Sequence, residues 1–404
     1  MIVGKTDNGM LYGIRRNCSA VAYCALSIKC GTRNEEEFNS GIAHFTEHTI
    51  FKGTAHKSAS TINSYLDRLG GELNAFTTKE EIVIHATVLK EDLSKAVSLL
   101  MELATEATFP EKEIEIEKGV VLDEIASYKD SPADDVYDRF EEMLFAGHPL
   151  GRPILGTPSS VKKIDSAELL RFVRKNFTPD RMALTIVADI DENKALKLVN
   201  CPLASNDRHS SEPVSTAVKA VHFDKTVDKR NHEVNAVIGG LAPSLYEEKE
   251  RIATVLLANI LAGPGSNSIL NKELREKRGL VYGVESSYTQ YKECGIFAIN
   301  LGCDKNNLDK CLAIVKHELS KIQEVMFTPG RLKAAKKQLI GQLAIGSANG
   351  ESQCLAMGKS LLAFGTVSTD EEDRAKVEAV TAEELQNIAR RILSQDKLSQ
   401  LIYL

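Results

Sequence analysis

Two stretches of the chain carry the same apolar pattern. Leu93–Leu100 and Leu308–Val315 both place apolar residues at the first, fourth, fifth and eighth positions, the stripe of an amphipathic helix. Each follows a strand-like run, Ile82–Val88 in one case and Gly295–Leu301 in the other. The two helical patterns lie 215 residues apart. Ser166–Leu170 and Thr381–Leu385 are separated by 215 as well. Each of these opens on a Ser or Thr suited to cap a helix, and each helix runs toward a terminal strand, Met182–Ala188 or Leu398–Leu404.

Two independent matches at one offset predict an internal duplication. The expected organisation is a first domain over 1–203, a linker over 204–215 and a homologous second domain over 216–404. The linker segment is polar and bounded by Pro202 and Pro213. Strands and helices are grouped within each half. That order predicts an α+β fold, each half a largely antiparallel sheet with helices packed on one face.

Composition narrows the function. Of the 404 residues 43% are hydrophobic, enough to fill cores, so global disorder is excluded. Fifty Lys and Arg against 56 Asp and Glu give a net charge of −6, which argues against a nucleic-acid partner. No run approaches the ~18 apolar residues of a membrane span, so no membrane partner is expected. The first residues lack an apolar signal-peptide run, and a cytoplasmic location is expected for the chain as it stands. None of the eight cysteines forms a Cys-x-x-Cys pair, so they read as small, reduced core residues. There is also no phosphate-binding Gly-x-x-x-x-Gly-Lys loop and no Gly-x-Ser-x-Gly nucleophile turn.

The candidate chemistry lies at 41–54. His44 and His48 are four apart, so a helix puts both imidazoles on one face, able to share one ion. Glu47 lies beside them, and Gly53 is a plausible helix stop. With nine His in the chain, chance yields such a His-x-x-Glu-His pattern with a frequency on the order of a few per cent. The competing reading is a pair of unrelated helix histidines. A catalytic zinc needs a third protein ligand. The best source is the segment Pro110–Ala126, where Glu117 and Glu124 are seven apart and share a helix face. Apolar neighbours surround Glu124 but not Glu117, so Glu124 reads as a buried or half-buried acid that needs a partner. The second half lacks these groups. At matching offsets the histidine segment falls on Asn259–Gly263, and the two acids fall on Lys336 and Leu343. Residues needed only by the scaffold would more often persist in both copies.

Five segments together carry a family resemblance: His44–His48, Gly71–Thr77, Glu117–Glu124, His148–Thr157 and Leu274–Tyr282. The sequence resembles the pitrilysin/insulinase family of zinc peptidases, the inverzincins, over essentially its whole length. It is most similar to the short-chain members related to mitochondrial processing peptidase. The resemblance implies a LuxS/MPP-like metallohydrolase fold and one zinc ion per chain, held by His44, His48 and Glu124. It implies Glu47 as general base and Glu117 as a second catalytic acid that is not a ligand. Asn74, Arg275 and Tyr282 would bind the substrate. Read without the family, Arg275 is part of a charged helix end closed by Gly279, and Tyr282 is a strand core residue. The implied activity is that of a zinc metalloendopeptidase acting on unstructured peptides in a chamber between domains. The alternative is a non-catalytic partner subunit of a heterodimeric processing or assembly complex. Both residue sets lie on one chain, which favours a homodimer. One departure is Gly263–Ser268, where a proline interrupts a loop that is glycine-rich in relatives.

Overall fold

The computed structural model describes residues 1–200 and 217–404; Cys201 and the expected linker lie outside the described residues. Two sheets organise the chain. The first contains β1 (Ile2–Lys5), β2 (Leu11–Arg16), β3 (Val21–Ile28), β4 (Glu72–Thr77), β5 (Ile82–Leu89) and β6 (Met182–Ala188). Their order is β1-β2-β6-β3-β5-β4, and only the β2–β6 pair is parallel. The second contains β7 (Asp224–Val227), β8 (Val234–Ala242), β9 (Val281–Gln290), β10 (Gly295–Cys303) and β11 (Ser399–Tyr403). Their order is β7-β11-β8-β10-β9, and only the β7–β11 pair is parallel. With β1 set aside, the second order repeats the first strand for strand. The duplication seen in the sequence is thus a repeat of topology, in two α+β units.

Position in the sheet explains the strand sequences. β6 (Met-Ala-Leu-Thr-Ile-Val-Ala) is central and buried at every residue, so its apolar run does not alternate. β4 is an edge strand, paired only to β5, and its residues alternate between exposed and half-buried. On one face of the first sheet, Leu26, Ile84, Leu184 and Ile186 share a core with Leu93, Val97 and Leu100 of the helix Leu93–Glu106. Leu169 and Phe172 of the helix Ser166–Asn176 join that core. Asp165 rather than Ser166 caps this helix, accepting from the Glu168 N–H at 2.8 Å. Thr381 does cap its counterpart, through a capping box with Glu384.

The opposite face of each sheet also carries a helix, and that helix comes from the other half of the sequence. Ala25, Val83 and Val187 of the first sheet pack on Cys354 and Met357 of the helix Gly350–Phe364. Glu351 in its first turn pairs with His85 of β5 at 3.0 Å. Val237, Ile296, Ala298 and Leu401 of the second sheet pack with Phe140 and Leu144 of the helix Pro132–Leu144. One compact unit therefore contains 1–125, 345–368 and the described part of 152–214. The other contains 126–151, the described part of 215–344, and 369–404. The contiguous halves 1–203 and 216–404 describe the repeat, whereas each folded unit holds one helix from the opposite half. An amphipathic pattern specifies that a helix buries a face, not which sheet receives it.

The helix Gly350–Phe364 approaches β3 closely enough to require a glycine. A Cβ on Gly358 would lie 2.2 Å from Ser27 Oγ and 3.1 Å from Ser27 Cβ. The hydroxyl can rotate away, but the carbon of a buried central strand cannot. Gly358→Val is expected to destabilise the protein by about 1–3 kcal/mol, the cost of overpacking, and to lower the midpoint of thermal unfolding. Gly341→Ala, at a helical position with open space around its Cβ, is the control and should leave the midpoint unchanged or raise it by up to ~1 kcal/mol of helix propensity.

Candidate metal centre

The histidine motif lies on the helix Ile42–Thr49, continued by a short 3-10 turn over Ile50–Lys52. Ile42, Ala43, Phe45, Thr46 and Thr49 are buried and fix the helix against the core. Its start is held by a residue the motif does not contain. Both oxygens of the buried Glu35 accept backbone N–H groups, from Gly41 at 3.0 Å and from Ala43 at 3.0 Å. A carboxylate at a helix N-terminus satisfies donors that have no intrahelical partner and complements the helix dipole. Nothing in the sequence marks Glu35, because the contact depends on how the loop before the helix folds back.

The second helix, Glu111–Lys129, presents Glu117 and Glu124 to the motif helix. Glu124 Oε2 lies 3.6 Å from His44 Nε2 and 3.4 Å from His48 Nε2. The two imidazole centroids are 4.6 Å apart. Two bonds of ~2.0–2.1 Å at a tetrahedral ion separate their ligand atoms by roughly 3.3 Å, so these spacings suit a single metal ion. Glu124 Oε2 is buried and has no hydrogen-bond partner, a costly state for a carboxylate oxygen unless a cation is available to it. His44, His48 and Glu124 each offer one atom to a common point, all within 4.8 Å of one another. Among the described residues no second group of three or more His, Cys, Asp or Glu is so placed.

Glu124 is half-buried, as its apolar neighbours predict, yet it is not the more deeply buried of the two acids. Glu117, with polar sequence neighbours, is only 5% exposed, while Glu124 is half-buried and Val120 beside it is exposed. Burial here is set by the helix lying opposite, not by adjacent residues. Glu117 Oε1 accepts from His48 Nδ1 at 2.9 Å, and Glu117 Oε2 pairs with Lys52 Nζ at 2.7 Å. Burial raises the Glu117 carboxyl, but these two donors outweigh it and hold Glu117 below the usual carboxylate range. Glu47 accepts from Thr77 Oγ1 at 2.8 Å, which joins it to the end of β4. Thr77 lay within a recognised segment, yet its link to Glu47 was not legible from spacing.

The electrostatics favour a cation. Burial, with a smaller contribution from His48, pushes His44 down to about 3, so it is a neutral imidazole with a free lone pair. His48 moves the other way: burial lowers it, but the Glu117 hydrogen bond and the charges of Glu47, Glu124 and Glu117 raise it more. Burial raises Glu47, opposed by Thr77 and His48 and reinforced by Glu124. Three carboxylates thus face one ammonium, that of Lys52.

The remaining candidates lie elsewhere. Asn74 is exposed on β4, three residues before Thr77 in the same unit. Arg275 sits in a π-helical turn, Asn271–Glu276, and Tyr282 on β9; both belong to the second unit. Tyr282 is 63% exposed, so it is not the core residue that the residue pattern alone allowed. The 263–268 loop is closed on itself, with Ser268 Oγ and Asn271 Nδ2 both donating to the Gly263 carbonyl. None of the seven described cysteines is in a disulfide, and six of them are buried.

Similarity to known proteins agrees with this geometry. Residues 14–158 match the family model described as insulinase (peptidase family M16), and residues 163–339 match the peptidase M16 inactive domain. An uncharacterized zinc protease of Bacillus subtilis is 31% identical over 375 residues, covering 93% of this chain and 91% of the relative. An uncharacterized zinc protease of Streptomyces coelicolor is 30% identical, covering 90% of this chain and 81% of the relative. A crystal structure of a peptidase M16 inactive domain from Pseudomonas fluorescens has a TM-score of 0.92 at 20% identity, covering 100% of this chain and 97% of that one. A protease from Helicobacter pylori has a TM-score of 0.89 at 19% identity, covering 100% and 98%. The duplicated fold, the one-sided metal group and these matches have a common explanation: the chain belongs to the insulinase family of M16 peptidases.

Proposed function

We propose that the protein is a zinc-dependent metalloendopeptidase that hydrolyses unstructured peptides, with His44, His48 and Glu124 holding one zinc ion. The observation that carries this reading is the position of Glu47. It stands beside the three-residue group and is tied through Thr77 to the end of an exposed edge strand. When bound, zinc supplies a Lewis acid and an activated water. The chain's own residues supply the rest. Glu47 accepts a proton from the attacking water and delivers it to the leaving amine. Its raised carboxyl suits a group that must both take and return a proton. Glu117 fixes the ring of His48 so that its other nitrogen faces the ion. An extended peptide adds to the free side of β4 by backbone pairing, near Asn74. Arg275 and Tyr282 contribute donors to the developing oxyanion. Edge pairing needs an unfolded substrate, which is why peptides rather than folded proteins are the expected class.

We further propose a homodimer, because the metal set and the Arg275/Tyr282 pair lie on one chain and neither has to be supplied by a different subunit. A cytoplasmic location goes with this reading. Among the described residues no helix is long and apolar enough to cross a membrane.

Glu47→Gln should still bind one zinc per chain but lose about 10²–10⁴-fold in cleavage of an unstructured peptide library. Equal cleavage by the variant would sink the mechanism. No zinc on the wild type would favour a non-catalytic partner subunit. Zinc affinity should fall on acidification. The metal must displace the proton that the raised His48 retains, so affinity drops by about tenfold per pH unit once the pH is below that raised value, which lies above 6.5. A chelator competition series across neutral and mildly acidic pH reads this directly, and a flat profile would count against His48 as a ligand. Light scattering at micromolar concentration should give twice the mass of one chain, and a single-chain mass would exclude the homodimer.

A further inference from the structure

We propose that Lys52 is a positioning residue for the metal ligand His48 and acts through Glu117. The inference rests on the zinc reading above and adds to it a residue that touches neither metal nor substrate. Lys52 continues the ligand face of the motif helix. His44, His48 and Lys52 are spaced four apart, and the 3-10 turn Ile50–Lys52 carries the chain one step past the helix end. On the opposite helix Glu124 and Glu117 are seven apart. The five side chains interleave as a ladder. Glu124 lies against His44 and His48, Glu117 lies between His48 and Lys52, and Lys52 ends the row.

Each oxygen of the Glu117 carboxylate has one partner, His48 Nδ1 at 2.9 Å and Lys52 Nζ at 2.7 Å. This fixes the plane of the carboxylate. It makes Nδ1 the donor on His48 and leaves Nε2, the atom facing Glu124, with its lone pair. The pair is sheltered, with the Lys52 side chain 23% exposed and that of Glu117 6%.

The second half of the chain separates a metal-related role from a merely structural one. Lys52 corresponds to Asn267 at the 215-residue offset, and Glu117 corresponds to Lys336, two residues before Gln338, at the 219-residue offset that pairs Pro110 with Pro329. Asn267 and Gln338 exchange a pair of amide hydrogen bonds, Asn267 Nδ2 to Gln338 Oε1 at 2.8 Å and Gln338 Nε2 to Asn267 Oδ1 at 3.3 Å. Near the corresponding positions of the second half, an exposed link is therefore made by neutral groups where no metal group exists. Only the half with the metal group makes that link charged and extends it to an imidazole.

The test uses the full chain as wild type, Lys52→Gln, Lys52→Met and Lys52→Arg. Zinc affinity is read by chelator competition, ligand geometry by the visible absorption of the cobalt(II)-loaded protein, and fold by thermal unfolding of the metal-free protein. Lys52→Gln, which keeps a neutral hydrogen bond as in the second half, should keep the metal-free midpoint yet bind zinc about tenfold more weakly, the low end for outer-shell partners. Its cobalt bands should shift. Lys52→Met should lose at least as much, and Lys52→Arg should recover to within about threefold of wild type. Unchanged affinity and cobalt spectrum in Lys52→Gln would overturn the proposal. So would a loss that follows the metal-free midpoint and is not recovered by arginine. Glu124→Gln is the separating control: if wild type and this variant take up zinc alike, the zinc reading fails rather than the role of Lys52.

Discussion

Three carboxylates meet where the motif helix crosses the helix Glu111–Lys129, and one of them, Glu117, is paired with the ammonium of Lys52. Glu47, Glu117 and Glu124 are all partly or fully buried, and Lys52 is the cation among them. A buried charge must be paired, neutralised or placed beside a metal. Lys52 and His48 satisfy Glu117, and Thr77 gives Glu47 one hydrogen bond, but Glu124 Oε2 has no donor. The protein alone meets the excess by raising His48, which lets a proton stand where a cation's charge is wanted. A divalent ion relieves the same excess without that proton. Metal binding and proton loss are therefore two aspects of one electrostatic requirement.

Local sequence paired the candidate ligands because helix geometry is local. Residues four or seven apart must share a face, so His44 with His48 and Glu117 with Glu124 could be paired before any tertiary information. The repeat was legible for a similar reason, since apolar spacing records which face of an element is buried. What spacing could not record was the opposing surface. It gave Glu124 as buried or half-buried, which it is, but did not show that Glu117 lies deeper, under the motif helix. It was silent on Glu35, whose two backbone contacts depend on a loop. Tyr282 shows the same limit from the other side: an apolar-flanked strand position reads as core, yet the residue is on the surface.

The helix exchange follows from the same distinction. Both sheets need a cover on the face away from the main helical layer, and each takes one from the opposite half of the chain. For the first unit that cover is the helix Gly350–Phe364, seated through small residues at Gly350, Cys354 and Gly358. Small residues let the helix backbone approach β3, and the paired Glu351 and His85 fix its start. Neither half of the sequence therefore builds its own unit in full. This ties the copy with the His44, His48 and Glu124 group to the copy without it through the hydrophobic effect, independently of any chemistry they share.

The asymmetry between the copies then has a physical reading. Duplication supplies two sheets, two edge strands and two helix crossings, but a crossing that buries several carboxylates costs stability unless a cation is present. The second copy has no such charges at the matching positions: an exposed Leu343 stands where Glu124 does, and the amides of Asn267 and Gln338 form an exposed pair nearby. The first copy retains the charges, in the half that holds the three-residue group able to take a metal ion. Glu47 links the two demands. It is held in the charged crossing by its helix and joined to the free edge of β4 by Thr77, so the group that would move the proton lies where an added strand would pass.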